Sequence, residues 1–403
     1  MKVEYIFSDG YGFIYEKTRF ILSKKSYFLC RNMDGETSLR ELKRKFYKKY
    51  NKKLSDKSIY SFTNKLKRSN LLTANANGYL VSKLSSPFLR KQLKRFERNK
   101  VRDTSYAGLC YKSDPKRLKK DLEECFASVD DLLLDALYKG RQRLKGIIIP
   151  HSNIELSGHC AAWSYKALTK CPMPDVFIIL APDHSYSLKY PFSVLAKDFR
   201  TPLGIVRAEK DFARALAKKC NFNIFTNSPA HIKEYAIEIQ LPFLKYIYRK
   251  KSKKIRILPI LCAKEPRSKT LKNNFNAQRA DFIKALKKTV TESGKNVLFM
   301  AAGDLLHSYD WQGSYRLHNK NLRIANRFLK KLDVKNLKYS LRPEEEPICS
   351  KEVFYALFEL IKPATGKKLK YSCSRGSPFI NEYKTNPQFK YWINIGYVSI
   401  IFY

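Results

Sequence analysis

The chain has 403 residues, 44% hydrophobic and 13% aromatic, with only 15 Gly and 17 Pro. It is therefore long enough for two domains of about 150 residues each, and collagen-like, low-complexity and wholly disordered classes are excluded. Lys and Arg number 79 against 36 Asp and Glu, a net charge of +43 that attracts nucleic acid, phosphate-bearing ligands or anionic surfaces without naming which.

The first hundred residues are the most basic part, with 25 Lys and Arg against 8 Asp and Glu. Within them Asp34-Gly35 reads as a turn. Thr37 or Ser38 caps a helix whose apolar positions Leu39, Leu42, Phe46 and Tyr50 recur at helical spacing and which ends near Asn51. Ser55 caps a second helix with Ile59, Phe62, Leu66 and Leu71 or Leu72 on one face, and the Asn77-Gly78 turn joins two short extended pieces. This order of helix, turn, helix and hairpin is a winged-helix pattern over residues 1–84. A basic stretch at 85–103, with Leu89, Leu93 and Phe96 among its Lys and Arg, reads as a helical linker.

From residue 104 to 403 the pattern changes. Gly146–Pro150, Val176–Pro182, Ile255–Leu261 and Val297–Gly303 are short β-rich apolar runs, separated by helical stretches at Cys160–Leu168, Lys210–Lys219, Glu238–Tyr248 and Ala277–Thr291. Continuously apolar strands alternating with helices predict an α/β domain whose central sheet is covered on both faces. No apolar run approaches the roughly 20 residues of a membrane helix. Glu4 and Asp9 fall where a signal peptide would be apolar, so a cytoplasmic location is expected. The nine cysteines are scattered, with no CxxC pair, and are expected to be reduced thiols.

In such sheets ligands collect beyond the carboxyl ends of the strands. Three of the six histidines fall there: His151 after GIIIP, His184 after FIILAPD and His307 after FMAAGDLL. Imidazoles with a nearby acid or thiolate suit Fe, Cu or Zn, and Asp183 and Asp304 stand ready either to ligate or to orient a ring. His231 lies on a loop before a helix. Glu234 and Glu238, four apart at the helix start, serve either as acid/base groups or as partners of the helix dipole. Ser157-Gly158 before a helix offers backbone N–H groups to an anion. His159 and His318 lie off the strand ends and read as structural or solvated.

Seven ordered segments carry a family resemblance: AGLCYKSDP at 107–115, PHSNIELSG at 150–158, APDHSYS at 181–187, TPLG at 201–204, AHIKEYAIEIQLPFL at 230–244, AAGDLLH at 301–307 and IGYVSIIF at 395–402. Together they resemble the Memo family. The basic first domain, with its DGETSLREL segment, resembles the winged-helix or PqqD-like extension of the subset called AmmeMemoRadiSam system protein B. The resemblance implies a fold related to class III extradiol dioxygenases and a site for Fe or Cu, with Zn also compatible, held by two histidines and a cysteine. His151 and His184 match the histidine positions and the cysteine position falls at Leu306; His307 and Asp304 match and are expected to complete the site. Tyr235 stands where the family motif has a histidine. Cys349, at the family's Met-Cys-Gly segment, reads as a core residue. Metal-dependent redox or oxygen chemistry is implied, with His231 or Tyr235 managing protons and Glu234 and Asp304 beside them. The implied partners are a radical S-adenosylmethionine enzyme and an AMMECR-type protein. The alternative is a non-catalytic binding protein with a decayed metal site, whose basic first domain binds nucleic acid or a peptide.

Overall fold

Four apolar runs form adjacent strands of one sheet, in an order that differs from their order in the chain. The computed structural model describes residues 2–6, 10–15, 18–34, 37–68, 72–74, 80–82, 93–138, 143–184, 188–266, 269–308, 314–331, 345–346, 348–374 and 394–403. The chain divides into two units, Met1–Lys100 and Val101–Tyr403.

The first unit opens with an antiparallel meander, β1 (Lys2–Ile6), β2 (Gly10–Tyr15) and β3 (Thr18–Ser23), which the sequence reading did not include. Helices follow at Lys24–Asn32, Leu39–Tyr50 and Asp56–Arg68. Ser38 caps the second of these, its Oγ accepting from the Glu41 N–H at 3.2 Å, and Asn51 ends it in the left-handed conformation at φ 49°. Leu29, Cys30, Met33, Leu42, Phe46 and Leu66 make a common core. β4 (Leu72–Ala74) and β5 (Leu80–Ser82) pair antiparallel; the Asn77-Gly78 turn and residues 83–92 of the basic stretch lie outside the described residues.

In the second unit the centre of the sheet is β7 (Gly146–Ile149), β13 (Val297–Ala302), β8 (Val176–Pro182) and β12 (Arg256–Cys262), in that spatial order and all parallel. β7, β8 and β13 are buried along their whole length, which accounts for their uninterrupted apolar sequences. The sheet is mixed at its flanks. β17 (Asn394–Phe402) runs antiparallel to β7, and the hairpin of β10 (Asp198–Thr201) and β11 (Gly204–Ala208) joins β12 on the other side. β6 (Val101–Arg102) pairs with β10. The short strands β6, β10 and β11 were not expected, because each carries too few apolar residues to register against its loops.

Helices cover both faces. On one, Ile148, Ile178, Leu180 and Val398 pack with Phe212, Phe282, Phe328 and Phe354 from the helices Lys210–Ala217, Lys269–Ser293, Ser314–Lys331 and Lys351–Ile361. On the other, the helix Ile154–Thr169 packs on Pro115–Ala127 and Gln240–Ile247. Gly158 allows the close approach: a Cβ there would lie 2.6 Å from Cys125 Sγ. Among the described residues no helix is long and apolar enough to cross a membrane.

Candidate metal centre

Because β13 lies between β7 and β8, three loops leave the same edge of the sheet side by side. The loop after β7 carries His151, the loop after β13 carries Asp304 and the loop after β8 carries His184. The two imidazoles, 33 positions apart in sequence, meet with ring centroids 5.1 Å apart and planes at 82°.

A third donor comes from Cys349, just before the helix Lys351–Ile361, which packs on β13 and β8. Gly303 makes that approach possible, since a Cβ there would lie 2.6 Å from Ser350 Cβ and 2.7 Å from the Phe354 ring. One donor atom each of His151, His184 and Cys349 lies within 4.8 Å of the others. Cys349 Sγ is 3.7 Å from His151 Nε2 and 3.3 Å from Ser350 Oγ.

Each imidazole is fixed by its other nitrogen. His151 Nδ1 lies 3.0 Å from the Ala302 carbonyl, which can only accept, so the proton is on Nδ1 and Nε2 faces the thiol. His184 Nδ1 donates to the Glu234 carboxylate at 3.0 and 3.1 Å, and Glu234 also accepts from the His184 and Ala236 backbone N–H groups. Asp304 takes the His151 N–H at 2.9 Å and the Ser152 hydroxyl at 2.5 Å. This is the pattern of outer partners that orients metal-binding imidazoles.

Electrostatics favours a thiolate. Burial alone would push the Cys349 thiol up, but His151, with His184 and His307 adding to its effect, holds it well below its usual range. Burial pulls the two imidazoles down, yet Asp304 and Cys349 leave His151 raised to about 9, and Glu234 and Cys349 raise His184 well above its usual value. Burial opposes ionisation of Glu234 as well, and the hydrogen-bonded His184 outweighs it, keeping that carboxyl below its ordinary range.

Two sequence expectations need correction. Leu306, matched to the thiol position, is fully buried in the main apolar core with its N–H on Asn321 Oδ1, so it has no part in the centre. Cys349, read as core, is half-buried and supplies the thiol. Its signal was present: a cysteine in the turn opening an amphipathic helix, where the helix N-terminus favours a thiolate.

The other candidates are placed as follows. His307, buried on β14 (His307–Ser308), helps hold the Cys349 thiol low and is not in the converging set. Tyr235 stacks on the His184 ring at 4.9 Å and 13°, and meets His151 edge-on at 5.7 Å. His231 is buried against β9 (Phe192–Val194), with Nε2 3.1 Å from the Ser193 carbonyl, and burial with the nearby Arg102 lowers it to about 3. Glu238 is wholly buried and accepts from Arg102, from the Ser105 and Tyr106 N–H groups and from the Tyr111 hydroxyl; it anchors the entry segment instead of facing the thiol. Ser157 turns its hydroxyl back onto the Ser152 carbonyl.

Residues 102–378 match the family model of the Memo-like protein. The chain belongs to the Memo-like family. A MEMO1 family protein of Methanopyrus kandleri is 34% identical over 163 residues, 40% of this chain and 56% of that relative. One from Methanobrevibacter smithii is 30% identical over 214 residues, 51% of this chain and 70% of the relative. One from Thermococcus kodakarensis is 28% identical over 261 residues, 62% of this chain and 83% of the relative. The match to the M. kandleri relative thus spans little more than half of that protein's length. The His151, His184 and Cys349 triad lies within the part that the Memo-like model covers.

Proposed function

We propose that this Memo-like chain binds a redox-capable transition metal, Fe or Cu, through His151, His184 and Cys349, and uses it in redox or oxygen chemistry. The observation that carries the reading is the convergence of two imidazoles and a thiol within 4.8 Å, with each imidazole's Nδ1 already committed elsewhere. Two imidazole nitrogens, which give up their Nε2 protons as the metal binds, and one thiolate form a donor set of borderline to soft character, which suits Cu, Fe or Zn over Mg or Ca. When bound, such a metal supplies one-electron redox or Lewis-acid chemistry.

The protein's own groups then have separable tasks. Glu234 holds the His184 ring and balances its charge, and Asp304 fixes the loop that carries His151. Tyr235, lying flat on His184, is the group placed to hold or pass a proton next to the ligands. His231 is held neutral by its surroundings and serves as packing and a hydrogen-bonded anchor. The decayed-site reading rested on Leu306 and Tyr235; Cys349 answers the first, and Tyr235 still stands where the family motif has a histidine.

The resemblance to AmmeMemoRadiSam system protein B supports a place beside a radical S-adenosylmethionine enzyme and an AMMECR-type protein, with the basic, winged-helix-like first unit as the docking element. Tyr47 and Tyr60, 51% and 70% exposed among lysines, also suit nucleic acid. Binding to a duplex that weakens with salt, by a log–log slope of about 0.9 per phosphate contacted, would favour nucleic acid. Capture of the two proteins irrespective of salt would favour the first assignment.

The metal reading is tested by anaerobic purification and elemental analysis. The wild-type chain is expected to carry one Fe or Cu per protein, and His151→Ala/His184→Ala and Cys349→Ala to carry none. A wild-type protein as metal-free as the double variant would reject it.

A further inference from the structure

A second site is indicated beside the helix Gln240–Ile247, where it meets the turn between β10 and β11. A cleft of about 580 Å³ lies between the helix Pro115–Ala127, the turn joining β10 to β11, and the end of Gln240–Ile247 with the turn that follows. Lys119, Lys245 and Arg249 line it with one carboxylate, Glu123, and the ring of Tyr246 forms part of the wall.

Lys245 is what sets this cleft apart from the rest of a very basic surface. Three Lys or Arg residues are buried among the described residues: Arg102, Arg279 and Lys245, the last 8% exposed. Arg102 is paired with Glu238, and Arg279 with Glu352 at 2.6 Å. Lys245 forms no ion pair among the described residues; its one hydrogen bond is a long one, 3.4 Å to the Ile205 carbonyl. Two of its three N–H donors are left for the cleft. A buried ammonium without a counter-charge is costly, and burial accordingly lowers the Lys245 pKa. Gly204 keeps space open beside it: at φ 105° the turn favours glycine, and a Cβ there would lie 3.3 Å from Lys245 Nζ. Lys119 and Arg249, both exposed, likewise have no carboxylate partner among the described residues.

We propose that this cleft binds a phosphate-bearing small molecule, its phosphate oxygens accepting from the Lys245 ammonium while Lys119 and Arg249 balance the remaining charge. Three cations against one carboxylate leave two positive charges, which a phosphate dianion matches. The cleft is also larger than a phosphate alone requires, leaving room beside Tyr246 for the organic part.

The test uses the full chain and titration calorimetry at constant ionic strength, set with chloride, in three arms: inorganic phosphate, a sugar phosphate and a nucleoside monophosphate. Saturable binding is expected in at least one arm. Tightest binding of inorganic phosphate would identify free phosphate as the ligand, and a tighter organic arm a phosphomonoester. Lys245→Met is expected to weaken binding about tenfold or more, as removal of a charge-assisted hydrogen bond does. It should melt at a temperature no lower than wild type, since it removes an unpaired buried charge. Lys250→Met, exposed and outside the cleft, should change nothing. Lys119→Gln/Arg249→Gln, made wholly at the surface, should also weaken binding and tests the cleft should Lys245→Met fail to fold. No saturable binding in any arm, or wild-type affinity in Lys245→Met or in the double surface variant, would overturn the proposal.

Discussion

His184, half-buried, pairs with the buried Glu234: the ring Nδ1 reaches both carboxylate oxygens, at 3.0 and 3.1 Å, while the His184 backbone N–H binds the same carboxylate at 3.1 Å. The carboxylate therefore sets both the position of the loop and the direction of Nε2. Glu234→Gln should leave the fold intact and weaken metal binding by about 10–100-fold, the usual cost of losing an outer partner of a ligand. Competition with a chromophoric chelator measures this. Unchanged affinity would mean the pair orients the loop for some other purpose.

Leu306 and Cys349 should separate stability from metal binding. Leu306 is fully buried in the core, so Leu306→Ala should cost about 2–5 kcal/mol in urea unfolding while metal content is retained. Cys349→Ala should do the reverse, with metal lost and stability nearly unchanged. Loss of metal from the leucine variant, after correction for unfolded protein, would restore the position the sequence first pointed to.

Gly303 lets the Cys349 turn reach the end of β13. Gly303→Ala would place a Cβ 2.6 Å from Ser350 Cβ, against backbone-anchored atoms that cannot swing aside. A loss of about 1–3 kcal/mol, as for other overpacked sites, should accompany weakened metal binding, because relief of the clash moves the cysteine. Thermal melting and metal titration of the same sample check both.

Arg102 and Glu238 clamp the entry segment of the domain to the helix that follows Glu234. The guanidinium also donates to the His231 and Glu234 carbonyls at 2.8 and 2.9 Å. Glu238→Gln should cost about 3–5 kcal/mol, since it strands a buried charge. An Arg102→Met/Glu238→Met double variant should recover part of that loss in equilibrium unfolding.

His231 gives the fold a sensitivity to acid. Its folded pKa of about 3 lies below the ordinary value of 6.5, so the unfolded chain binds the proton first. Its stabilising contribution is whole above pH 6.5 and is lost as pH falls toward 3, by up to about 1.4 kcal/mol per pH unit. His231→Gln should flatten the dependence of unfolding free energy on pH over that range. An unchanged slope would show that other groups carry the acid response.

The central strands, the helices between them, and the helices Leu39–Tyr50 and Asp56–Arg68 were legible in the residues themselves, because a strand buried on both faces must be apolar throughout and a helix on a core must repeat at its own period. His151 and His184 were legible as partners for the same reason: parallel strands place their following loops on one edge. The short flanking strands carry no such signal, since pairing with a neighbour specifies them more than their own composition does. Cys349 carried a local sign, its place before a helix, but its two partners were hidden by distance in the chain. Which thiol reaches two imidazoles depends on β13 inserting between β7 and β8 and on Gly303 admitting the helix beyond it, and those are contacts between segments that no local pattern encodes. The same holds for Lys245: in the sequence it is one of many lysines, and only packing reveals that it is buried without a counter-charge among the described residues.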